Sequence, residues 1–110
     1  MNIEFDADRY DELQLQVLEH LVKSVRDGLR EAGVDDDQIL YEVTGNLSFA
    51  LCAIIDGSRQ MMLDDQPVVP FLTFASERNG TDLIAAEGGS WMHEYVFGTV
   101  DEVFAEDDED

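Results

Sequence analysis

The sequence predicts an α+β domain: an amino-terminal helix or helical hairpin, a small antiparallel sheet of two or three strands, a carboxyl-terminal helix, and a disordered acidic tail. Three observations carry this expectation. Apolar residues recur at steps of three and four near both ends of the chain, the spacing of one helix face. The stretch between is rich in β-formers and punctuated by turn residues. The last ten residues hold seven acids. The 110 residues, 45% of them hydrophobic, suit a single domain, expected over 1–104 with a flexible tail at 105–110.

The first helix is the plainest element. Tyr10, Leu13, Val17, Leu21, Val25, Leu29 and Ala32 share one face, widened by Leu18 and Val22. Asp8 is the expected N-cap, with Asp11 in capping-box position. Lys23, Arg26 and Arg30 occupy the second half and complement the helix dipole. Glu19 and Lys23 form an i,i+4 pair, and Gly33 supplies the left-handed stop.

Residues 38–56 admit two readings. Ile39, Val43, Leu47, Leu51 and Ile54 keep helical spacing, with Asp35 as cap and Gly57 as stop. Leu47, Phe49, Leu51, Ala53 and Ile55 also alternate as a strand would, behind a possible Gly45-Asn46 turn. The start and stop signals favour the helix. Val43 to Ile55 is free of charge, which makes the segment central to the expected core.

Beyond Ser58, Gln60 to Leu63 reads as a short strand and Asp64-Asp65-Gln66-Pro67 as a turn. Phe71 to Ala75 and Asp82 to Ala86 read as strands joined through Glu77-Arg78-Asn79-Gly80, where Asn-Gly suits a tight hairpin turn. Ser90 caps a closing helix over Trp91 to Phe104, carried by Met92, Val96, Val100 and Val103. Acids oppose the dipole at a helix carboxyl end, so this helix is expected to stop near Phe104 and the tail to fray. The expected core comprises Leu13, Val17, Leu21, Val25, Leu47, Leu51, Ile54, Phe71, Leu72, Leu83, Val96 and Val100.

The net charge is −20, and the first hundred residues alone carry −13. Nucleic acid and anionic membrane need cations opposite their phosphates, so neither is an expected partner. The thirteen uncharged residues from Val43 to Ile55 fall short of a bilayer span, and the amino terminus lacks the basic and apolar regions of a signal peptide. A cytoplasmic protein is the expectation.

No chemistry-bearing motif emerges. His20 and His93 lie on separate helices, with no HExxH, cysteine pair or EF-hand loop, so no metal or cofactor is expected. Asp35-Asp36-Asp37 could attract a divalent cation loosely, but reads more plainly as a solvated helix start. The lone Cys52 sits in an apolar run, as a buried hydrophobe does. The serines lack a nucleophile-elbow frame, and an enzyme is not expected.

Trp91, Tyr95 and Asp35 to Asp37 are the candidate interaction residues, because Trp and Tyr anchor interfaces and acids suit a basic partner. The leading functional expectation is a small acidic protein-binding or inhibitor domain acting on a basic protein, either an immunity-type protein or a nucleic-acid mimic. The alternative is an accessory domain, possible as a homodimer, with no charge-dependent partner.

Overall fold

The computed structural model of the chain describes residues 2–75, 80 and 82–108. The first helix, α1 (Ala7–Glu31), starts two residues earlier than expected. Asp6 is its N-cap: the backbone there is extended, and the carboxylate accepts from the Arg9 N–H at 3.1 Å. Gly33, at φ +104°, ends it, and the Val34 N–H reaches back to the Leu29 carbonyl.

Residues 37–55 form a helix, α2 (Asp37–Ile55), and not a hairpin. Its N-cap is Asp36 rather than Asp35, accepting from the Ile39 N–H at 2.9 Å. Gly57, at φ +76°, closes it as expected, with the Ser58 N–H bonded to the Ala53 carbonyl.

Strands β2 (Met61–Leu63) and β3 (Gln66–Val68) then form a two-stranded hairpin. Its turn is Asp64-Asp65, both at positive φ, the twist that suits a two-residue hairpin loop. Pro67 belongs to β3 and not to the turn, tolerated because a two-stranded ribbon is all edge.

The larger sheet has the order β1-β5-β4, built from β1 (Asn2–Phe5), β4 (Phe74–Ala75) and β5 (Asp82–Ala85). β4 pairs antiparallel with β5, while β1 lies parallel on the other side, Ile3 opposite Leu83 and Phe5 opposite Ala85. The turn expected at Glu77 to Gly80 lies, apart from Gly80, outside the described residues.

The closing helix, α3 (Met92–Asp108), overturns the expected stop near Phe104 and the frayed tail. The acids at its carboxyl end do not face water alone. Arg26 and Arg30 of α1 both hold Asp107, at 3.1 and 3.0 Å, and Lys23 lies 3.6 Å from Glu106. Three cations on one side of α1 thus offset the carboxylates that would oppose the dipole. Residues 109 and 110 lie outside the described set.

These pairs make α1 and α3 run parallel. α2 runs against both, since Tyr41 near its start meets Phe104 and Asp56 after its end meets His93. The core between the helices is Leu18, Val22, Cys52, Met92, Val96, Val100 and Val103. Val96 and Val100 are buried as expected, and Leu13, Val17, Leu21, Val25, Leu72 and Leu83 are half-buried.

The expectation fails for Phe71 and for α2, whose Leu47, Leu51 and Ile54 are exposed. Inward, α2 turns Leu40, Thr44, Gly45, Ser48 and Cys52. Small residues let it approach its neighbours: a Cβ on Gly45 would lie 3.2 Å from the Phe97 ring. By length and composition α2 is also long and apolar enough to cross a membrane, contrary to the estimate from its charge-free run alone. In the fold it packs on α1 and α3.

Candidate interaction surface

A groove of about 570 Å³ runs between α1 and α3. Glu12, Leu15, Gln16 and Glu19 reach it from α1, and Glu94, Tyr95, Gly98, Thr99 and Glu102 from α3. Each set recurs at helical spacing, so each is one face of its helix. The floor is Leu15, Tyr95, Gly98 and Thr99; the rim is four glutamates, and among the described residues no cation lines it. Gly98 leaves the floor open, since a Cβ there would meet nothing within 4 Å. Among the described residues Glu19 is the one rim acid with a partner, Lys23 at 2.8 Å, and that hydrogen bond holds its carboxyl below the ordinary value.

The residues singled out from the sequence do not form one surface. Trp91 and Tyr95 line a cleft of about 320 Å³ beside the larger sheet, with Asp8, Asp11 and Glu87 at its edge, and Tyr95 also belongs to the groove. Asp35, Asp36 and Asp37 lie at the opposite end of the helices. There Asp37 borders a cleft of about 330 Å³ with Arg30, Tyr41, Asp101 and Asp107. Tyr41 Oη donates to Asp101 in that cleft, which pushes the phenol above its ordinary value.

One arrangement resembles catalytic chemistry. The fully buried Asp56 side chain lies 2.7 Å from His93 Nδ1, and a carboxylate can only accept, so Nδ1 carries the proton. Ser58 Oγ is 3.4 Å from both ring nitrogens, which places it at the ring edge between them rather than on the Nε2 lone pair. A nucleophile–base pair needs the hydroxyl aligned with Nε2 at about 2.6–3.2 Å. The same Oδ2 accepts the His93 backbone N–H at 2.7 Å, so Asp56 caps the start of α3. The geometry is that of a clamp between two helix ends.

Beside this clamp the rings of Trp91, His93, Phe49 and Phe97 follow one another at 5.8–6.1 Å, with Phe49 stacked on Phe97. Phe49, Trp91 and Phe97 are exposed. Cys52 is fully buried, and burial, aided by Asp56, pushes its thiol up to about 12. Such a thiol is a packing group and not a nucleophile. Among the described residues, no group of three or more His, Cys, Asp or Glu is arranged to hold a metal ion.

Sequence reasoning missed the groove because it needs the pairing of α1 with α3, which no local pattern encodes. The legible signal was the acid–apolar alternation of Glu12, Leu15 and Glu19. Comparison with protein-family models, with curated proteins and with solved structures finds no match.

Proposed function

We propose that the chain is a non-catalytic protein-binding domain whose partner is a basic protein presenting an amphipathic, Lys- or Arg-bearing segment to the groove between α1 and α3. The observation that carries this is the groove's make-up: four glutamates around an apolar floor, with no cation lining it among the described residues. Lys and Arg side chains lay their aliphatic stems on apolar surface and keep the charged head at a polar rim. Leu15 and Gly98 suit the stem, Tyr95 suits a cation over its ring, and the glutamates suit the head.

The charge distribution supports the same reading. Lys23, Arg26 and Arg30 are engaged with Glu19, Glu106, Asp27 and Asp107, so half of the six cations serve the chain's own acids. The acidic surface that remains would steer a basic partner and speed its association. An inhibitor or immunity-type role, or mimicry of a nucleic acid toward its binding protein, is the biological form of this activity. A cytoplasmic location belongs to the same proposal, supported by the single free thiol of Cys52.

A labelled amphipathic basic helix tests it by fluorescence anisotropy. Binding is expected at low salt, weakening as salt rises. Glu12→Gln/Glu94→Gln/Glu102→Gln should weaken it at least tenfold. Asp35→Asn/Asp36→Asn/Asp37→Asn removes the same charge at the far end and keeps the cap, and should leave binding within about twofold. Equal losses in the two variants would mean diffuse attraction and would defeat the groove as a site.

A further inference from the structure

We infer that α2 is the interface of a symmetric homodimer, packed antiparallel on the α2 of a second copy. This inference is independent of the groove, which lies between the other two helices. Its starting point is a helix built inside out. α2 buries Thr44, Gly45 and Ser48 and turns outward Ile39 (51% exposed), Leu47 (45%), Leu51 (43%) and Ile54 (37%), with Val43 half-buried among them. Large exposed apolar faces mark surfaces that something covers.

Two features choose a second copy as the cover. The first is spacing. The stripe is symmetric about a point between Asn46 and Leu47, so an antiparallel arrangement sets Ile39 opposite the partner's Ile54 and Val43 opposite the partner's Ala50, with the two Leu47 side chains on either side of the two-fold axis. A two-fold interface requires this self-matching of one patch.

The second is charge. Each copy carries −20, and Val43 to Ile55 holds no charged residue, so the centre of this face sets no carboxylate against another. A basic partner finds no acid along it. A bilayer is disfavoured too, because the helix is flanked by Asp35, Asp36 and Asp37 at one end and Asp56 at the other. Membrane-facing segments favour Lys and Arg at those flanks.

Sedimentation velocity of the full chain from about 1 to 500 µM, at 0.15 and 0.5 M sodium chloride, tests the inference. The expected result is a shift from the 12.4 kDa monomer toward twice that mass as concentration rises. Salt should tighten the dimer by screening the like-charged copies, the opposite of its effect on groove binding, so the two readings fail separately. Leu47→Glu, at an exposed site, should raise the dissociation constant at least a hundredfold. Leu47→Cys should form a disulfide-linked dimer when oxidised with diamide, while Leu15→Cys in the groove should not. A monomer at every concentration, a dimer indifferent to Leu47→Glu, or a monomer that binds zwitterionic phosphatidylcholine vesicles through Leu47 would each overturn it.

Discussion

Asp56 Oδ2 accepts two hydrogen bonds from His93, one from the backbone N–H and one from Nδ1, each at 2.7 Å. One buried carboxylate thus joins the end of α2 to the start of α3. Hydrogen bonds to a charged group contribute about 1.5–3 kcal/mol each. Asp56→Ala should therefore lower the unfolding free energy by roughly 3–4 kcal/mol in urea titrations. His93→Ala keeps the backbone bond and should cost about half as much. Equal losses would mean that the imidazole, and not the cap, supplies the link.

Gly57 and Gly33 both end helices at positive φ, but their surroundings differ. A Cβ on Gly57 would lie 2.4 Å from Val69 Cγ1, whereas one on Gly33 would meet nothing within 4 Å. Gly33→Ala should cost only the left-handed penalty, about 1–2 kcal/mol. Gly57→Ala should cost that plus the clash, for a total above roughly 3 kcal/mol. Adding Val69→Ala to Gly57→Ala removes Cγ1 and should return the cost to the Gly33 level. Thermal or urea midpoints of the three variants decide the point.

Alkali should unfold the protein through Cys52 and Tyr10. Burial, and next Asp56, pushes the thiol from 9.0 up to about 12 and raises the Tyr10 phenol above 10.0. Both groups keep their protons longer in the folded chain than in the unfolded one. Their stabilising effect is complete below pH 9 and is lost as pH climbs from 9 toward 12. While a group is ionised in the unfolded chain and still protonated in the folded one, it removes about 1.4 kcal/mol per pH step of one. The urea midpoint should fall across that window on account of these two groups. Cys52→Ala should flatten the part of the decline that begins near pH 9. In the native protein Cys52 should resist iodoacetamide at pH 8 and react only once urea unfolds the chain.

Helical spacing located α1 and α3 because each buries one stripe, and in α3 the stripe of Met92, Val96, Val100 and Val103 is the buried one. The same spacing misjudged α2. Periodicity reports that Leu47, Leu51 and Ile54 share a face, but not which way the face points. Here Thr44, Gly45 and Ser48 are turned inward with Leu40 and Cys52, and Gly45 permits close approach of Phe97.

The length of α3 was illegible for a different reason. Its acidic end is stabilised by Arg26 and Arg30, some eighty positions away, and local charge rules see only the repulsion. Of the candidate interaction residues, Tyr95 lies in the groove and Trp91 beside it. The aspartate run was marked by composition alone, and it sits at the other end of the helices.

The parallel pairing of β1 with β5 joins Asn2–Phe5 to Asp82–Ala85, 80 residues later. On a translating ribosome the first strand therefore emerges long before its partner exists. Closing so large a loop is slow relative to local helix formation. Asn2–Phe5, with the apolar Ile3 and Phe5, must wait unpaired while both first helices are synthesised. A strand made some eighty residues before its partner is among the last to find its neighbours.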